Sequence, residues 1–167
     1  MTRLIFAVII LFVCTAIGMF KSYKIKSRLK NLVSIKNALT VFKSNISFNG
    51  YNMEKALYHT GINSNMNSIF IDASGKVKAM GASKALKYAI DENYARLHLN
   101  NDDAHTLSLL CTRLGMINEK EQTENIDYVS NMLDVNISSA RYDVEKYCRL
   151  YSSGGLLTGA FFCLMLV

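Results

Sequence analysis

The sequence predicts an all-α protein: a helical bundle with long juxtamembrane helices, flanked by N- and C-terminal transmembrane helices. Three observations lead there. Proline, the residue that most disrupts a helix interior, is absent from all 167 residues. Half of the residues are hydrophobic, and over much of the chain they recur at spacings of three and four, the period of one helix face. Both ends carry uncharged apolar runs. On this reading residues 1–20 form the N-terminal transmembrane helix, 21–153 a cytoplasmic α-helical domain, and 154–167 the C-terminal transmembrane segment.

The first run, Leu4 to Phe20, reads LIFAVIILFVCTAIGMF and holds no charge. As a helix it would be roughly 26 Å long, close to the thickness of a bilayer's hydrocarbon core. Lys21, Lys24, Lys26, Arg28 and Lys30 follow at once. By the positive-inside rule they hold the downstream side in the cytoplasm, against Arg3 alone on the other flank. No small-x-small cleavage site follows the run, which sets it apart from a removable signal peptide.

Beyond this run Ile25, Leu29, Leu32, Ile35, Leu39, Phe42 and Ile46 form one helical stripe, so the anchor is expected to continue as a stalk until Asn49-Gly50 breaks it. Shorter helices are expected around Met53 to His59 and Met66 to Met80. A clear one spans Ala82 to Leu97, with Ala82, Ala85, Leu86, Ala89, Ile90, Tyr94 and Leu97 on one face. The next runs from about Asp103 to Leu114, with Asn101 or Asp102 as N-cap and Gly115 suited to the C-terminal cap. Asn118 and Glu121 have capping-box spacing and open a last helix, expected to reach about Tyr151 along Ile126, Val129, Leu133, Ile137, Ala140, Val144 and Cys148. Stalk and last helix can then face each other as antiparallel neighbours. The tail from Gly154 to Val167 is short for a span, but it has no polar face, and Arg141, Lys146 and Arg149 precede it.

Charge distribution argues against nucleic acid as a partner. The net charge of +6 hides an uneven layout: seven bases and no acids lie between Lys21 and Lys43, whereas Ser44 to Ser153 holds 11 bases and 13 acids. The basic residues Lys21, Lys24, Lys26, Arg28, Lys30 and Arg149 are therefore read as topology signals beside membrane lipid. No cofactor or metal is expected. The four cysteines contain no CxxC and read as free thiols. Asp102, Asp103, His105 and His98 lack metal-ligand spacing and suit a helix start better. Ser74-Gly75-Lys76 lacks the preceding glycine and the following hydroxyl of a phosphate loop, because Phe70 and Val77 stand there. Without any catalytic motif, the chain reads as a non-enzyme.

The turn Leu114-Gly115-Met116-Ile117-Asn118-Glu119-Lys120-Glu121-Gln122 and the tail from Tyr147 to Val167 resemble the stage III sporulation protein AB family. Leu114, Gly115 and Gln122 match that family's LG-x-x-D-x-x-x-Q turn, with Asn118 where Asp is usual. Ser153 to Gly159, including Gly155 and Gly159, resembles its SLG-x-L-x-G tail, with Gly154 displacing a Leu. The resemblance implies a membrane platform of the channel or secretion-like apparatus joining mother cell and forespore, in the mother-cell membrane around the forespore. The family is similar to platform proteins of type II secretion and type IV pilus systems. It further implies, as partners, a separate cytoplasmic ATPase like stage III sporulation protein AA and other channel subunits, and it leaves homo-oligomerisation open. The competing reading is a membrane-tethered regulator or adaptor without a transport role, for which one anchor would suffice.

Overall fold

Residues 2–115, 118–148, 150–151 and 153–154 are described by the computed structural model, and among them there are helices and no strands. Six α-helices follow one another: α1 (Thr2–Ser47), α2 (Met53–Asn63), α3 (Asn67–Met80), α4 (Ala82–Leu97), α5 (Asn101–Arg113) and α6 (Glu119–Asp143). A π-helical turn, Val144–Cys148, continues α6. The chain divides into a larger unit, Lys30–Ser138, and a smaller one made of Met1–Leu29 with Ser139–Val167.

In the larger unit the periodic stripes become the core. Leu32, Ile35, Leu39, Phe42 and Ile46 of α1 are all buried, as are Ile126, Val129, Leu133 and Ile137 of α6. Each fully buried Leu, Ile or Phe side chain stabilises the fold by about 1.5–3 kcal/mol. Ala85, Leu86, Ala89 and Ile90 of α4 and Leu107, Leu110 and Cys111 of α5 are buried on the expected faces, whereas Tyr94, expected with them on α4, is only half-buried. Helix α3 packs between α2 and α4. The two shorter helices expected around Met53 to His59 and Met66 to Met80 are α2 and α3, and this stretch contributes Ala56, Leu57, Met66, Ile69, Phe70 and Ala73 to the same core.

Polar side chains in this core act on backbone ends. Asn45 is buried, and its Nδ2 donates to Thr60 Oγ1 at 3.1 Å and to Ala56 O at 3.4 Å, tying the end of α1 to α2. Asn31 Nδ2 donates to Leu97 O at 2.9 Å, satisfying a carbonyl that the end of α4 would otherwise leave open. The N-cap of α5 is Asn100, not Asn101 or Asp102. Asn100 Oδ1 accepts from Asp103 N at 2.8 Å while Asp103 Oδ2 accepts from Asn100 N at 3.0 Å. This reciprocal box needs an acid at the third helical position, and starting one residue earlier supplies Asp103.

Along α1 and α6 in the larger unit, Lys36 Nζ pairs with Asp134 at 2.5 Å and Lys43 Nζ with Asp127 at 2.6 Å. The partner's number falls as the α1 number rises, so the two helices run antiparallel. Exposed pairs of this kind contribute only about 0.2–1 kcal/mol each and serve mainly to hold register. The smaller unit shows the same sense on its own: Cys148 Sγ lies 3.6 Å from Ser22 O, and Arg28 Nη1 lies 3.1 Å from Asp143 Oδ2. Cysteines placed at Arg28 and Asp143 in the full chain are therefore expected to be joined by a short bifunctional thiol reagent, read as a mobility shift after proteolysis between them. Cysteines at Arg28 and Arg141 form the control and should give much less.

Among the described residues no helix is long and apolar enough to cross a membrane. The side chains of residues 1–8, 10, 11 and 14, and residues 155–167 altogether, lie outside the described set. Much of the expected N-terminal anchor and nearly all of the C-terminal one fall there.

Candidate functional site

In the turn between α5 and α6 the described residues Leu114, Gly115 and Asn118 close one helix or open the next. Leu114 ends α5 and is buried. Gly115 has φ +77°, a left-handed conformation that a residue with a Cβ adopts at a cost. Its surroundings are also tight: a Cβ there would sit 3.3 Å from Ala82 Cβ and 3.8 Å from Met53 Cγ. Asn118 caps α6, its Oδ1 accepting from Glu121 N at 2.8 Å, and Gln122 in the first turn is buried.

The expected capping box at Asn118 takes an altered form. The return bond runs from Asn118 Nδ2 to Glu121 Oε1, 3.1 Å apart, so asparagine supplies a donor that aspartate could not. Asn118→Ala is expected to lower the unfolding free energy by about 1 kcal/mol, measured by denaturant titration of the full chain in detergent. A change below about 0.3 kcal/mol would show that the cap contributes little.

An open groove of about 600 Å³ lies beside this turn, lined by Leu109, Thr112, Arg113, Glu121, Glu124, Asn125 and Tyr128. Tyr128 is 57% exposed, large for an aromatic ring, while Arg113, Glu121 and Glu124 bring charges of both signs. An aromatic ring among a mixed set of charges is a surface suited to a protein partner. A second groove of about 570 Å³ runs between α2 and α3, lined by Asn52, Glu54, Lys55, Tyr58, Ile71, Ser74 and Gly75. Tyr128 and Tyr58 were not singled out from sequence. Each is an aromatic one turn after charged and polar residues, Glu54 and Lys55 for Tyr58 and Glu124 and Asn125 for Tyr128, which is the signal that marks them.

The basic residues expected to mark the membrane side lie along α1. Lys21, Lys24 and Lys26 are exposed in the smaller unit, and Lys30 is exposed in the larger one. Arg28 differs, because it is half-buried and paired with Asp143. Arg149, Gly155 and Gly159 lie outside the described residues, so the structure brings together Leu114, Gly115, Asn118 and Gln122 only. Lys146 Nζ donates to Tyr142 Oη at 3.2 Å, and this bond raises its pKa above the ordinary lysine value.

Among the described residues, several groups considered for chemistry are engaged in the fold. Ser74-Gly75-Lys76 lies inside α3, where Ser74 Oγ donates to Ile71 O at 2.7 Å, and forms no phosphate-cradling loop. Asp103 belongs to the α5 cap, while His105 is exposed. Among the described residues no three His, Cys, Asp or Glu side chains are grouped to hold a metal ion. Cys111 and Cys148 are buried free thiols, as expected, whereas the side chain of Cys14 and all of Cys163 lie outside the described set. Burial pushes the Cys111 thiol up to about 12, with the Asp91 carboxylate adding to the rise and Lys87 opposing it. A thiol of that kind stays protonated near neutral pH and is a poor nucleophile.

Comparison with known proteins bears on the whole chain. The sequence model of the stage III sporulation protein AB family matches residues 3–167. A solved structure titled stage III sporulation protein AB is similar in fold, with a TM-score of 0.64 and 15% sequence identity, covering 71% of this chain and 96% of its own. No curated protein matches.

Proposed function

The chain belongs to the stage III sporulation protein AB family, and on that premise we propose that it is a membrane platform of a sporulation channel or secretion-like apparatus, docking a separate cytoplasmic ATPase. The observation that carries this reading is the family match over residues 3–167, which takes in both uncharged ends as well as the helical domain between them. In the proposal the runs at 4–20 and 154–167 anchor the protein in the mother-cell membrane around the forespore. Residues 21–153 face the cytoplasm, held there by the basic residues beside each anchor.

The ATPase, an enzyme like stage III sporulation protein AA, would seat on the groove beside the α5–α6 turn. Support for that position is physical. Gly115 and the Asn118 cap hold the described parts of the turn, so Arg113 at the end of α5 stands beside Glu121, Glu124 and Tyr128 of α6. A preordered surface loses less conformational entropy on binding than a mobile one. The chain supplies no phosphate loop of its own, which suits a division of labour between seat and motor.

Topology and role are testable together. A reporter active only outside the cytoplasm, fused at residue 100, is expected to stay silent in cells that depend on the fusion for sporulation. Strong reporter activity would overturn the topology. Normal spore yield after deletion of the gene would overturn the role.

A further inference from the structure

The smaller unit carries a cluster that adds Lys146, Tyr147 and Tyr151 to two of the topology lysines, Lys21 and Lys24, and lies apart from the docking groove residues. Lys21 Nζ sits 5.2 Å from the centre of the Tyr151 ring, and the Tyr151 and Tyr147 rings are 6.2 Å apart. Lys146 Nζ lies 5.3 Å from the Tyr147 ring and 5.2 Å from that of Tyr142. One helix turn along α1, Lys24 Nζ stands 4.8 Å over Phe20. Lys21, Tyr151, Tyr147, Lys146 and Tyr142 thus form a row of ammonium groups and rings on two antiparallel stretches, with the Lys24–Phe20 pair one turn along; the level of the stretches is set by the 3.6 Å contact between Cys148 Sγ and Ser22 O.

Charge in this unit is strongly one-sided. Lys21, Lys24, Lys26, Arg28, Arg141 and Lys146 face only two carboxylates among the described residues, Asp143 and Glu145, and Asp143 is paired with Arg28. The four lysines are exposed; Lys146 gives one of its three N–H donors to Tyr142 Oη, and an ammonium resting on a ring face has others to offer an oxygen ligand. Tyrosine adds a hydroxyl donor on an apolar body, the chemistry that favours the boundary between hydrocarbon and headgroups. The row lies immediately beside the uncharged run that ends at Phe20.

We propose that Lys21, Lys24, Lys146, Tyr147 and Tyr151 form a binding site for the phosphate headgroups of anionic phospholipids, an inference that rests on the membrane reading above. The site binds headgroup phosphate by ammonium and hydroxyl donors, while ring faces and lysine stems rest against the first part of the acyl chains. Sequence spacing alone separates Lys21 from Tyr151 by most of the chain. Only the fold sets them side by side.

The full chain, purified in a mild detergent from membranes containing phosphatidylglycerol and a neutral phospholipid, should retain phosphatidylglycerol in preference. The expected enrichment is on the order of tenfold, counted by native mass spectrometry. The triple variant Lys21→Gln/Lys24→Gln/Lys146→Gln should lose this preference. The matching Lys→Arg triple, and a Lys84→Gln/Lys87→Gln control in the larger unit, should keep it. Excess inorganic phosphate should not displace the lipid; displacement would mean a small-anion site and overturn the proposal. Equal retention by the wild type and the Gln triple would overturn it as well. Alkaline carbonate extraction separates this from the anchor reading. If wild-type protein stays with the membrane but shows no headgroup preference, only the lipid site fails; if it is released, the anchors themselves fail.

Discussion

Replacing Phe42 by alanine is expected to lower the unfolding free energy by about 3–5 kcal/mol. Phe42 is fully buried in the middle of the α1 stripe, and its ring lies 6.2 Å from that of Phe70, tilted by 43°. The surrounding core offers little slack. A void lined by Ile35, Leu39, Ile69, Phe70, Leu86, Ile90, Leu97, Leu107 and Leu110 amounts to about 10 Å³, near the smallest that could hold one water. Removing a ring beside a core packed this closely leaves a cavity that neighbours fill only in part. Since domains are stable by about 5–15 kcal/mol, such a loss takes away a large share. Phe48, 86% exposed at the end of the same stretch, is the internal control, and Phe48→Ala should stay within about 0.5 kcal/mol. Denaturant midpoints of the two variants in the full chain decide the matter; similar midpoints would contradict the assignment of α1 to the core.

The second large effect is expected at Gly115. Gly115→Val combines a positive φ of +77° with a new side chain starting 3.3 Å from Ala82 Cβ, and should cost on the order of 3 kcal/mol. Gly115→Ala should cost about 1–2 kcal/mol, chiefly from the backbone conformation. Gly75 provides the opposite sign. It lies inside α3, where an added Cβ would meet nothing within 4 Å, so Gly75→Ala should stabilise by about 0.5–1 kcal/mol. If the two alanine variants shift the thermal midpoint in the same direction, Gly115 is not the constrained position described.

The helices that sequence pattern made legible are those whose faces are cleanly divided. Leu32 through Ile46, Ala85 through Ile90 and Ile126 through Ile137 repeat at helical spacing, and each set is buried. The pairing of α1 with α6 was likewise readable, because two long stripes of matching period need each other. Details set by single hydrogen bonds were not readable. Asn100, Asn101 and Asp102 are all good cap residues, and only the return bond from Asn100 N to the buried Asp103 selects the first. The π-helical turn Val144–Cys148 has no signature in a pattern that simply counts threes and fours. Of the candidate site, the motif positions Leu114, Gly115, Asn118 and Gln122 were visible, since caps and glycine have local chemical signatures. Tyr128 beside them was not, because an exposed tyrosine becomes part of a groove only once Leu109, Thr112 and Arg113 of α5 are brought beside it. The row from Lys21 to Tyr151 was hidden for the same reason: it is assembled from the two ends of the chain.

Direct titration tests most closely the proposal that this chain seats an ATPase. The full protein in phospholipid nanodiscs would be titrated with the stage III sporulation protein AA-like ATPase of the same organism, and binding followed by a label on the ATPase. The predicted result is saturable binding that weakens roughly tenfold or more in Tyr128→Ala and Glu124→Lys, with Tyr58→Ala in the other groove unchanged. Absence of binding, or binding that ignores both substitutions beside the α5–α6 turn, would contradict it.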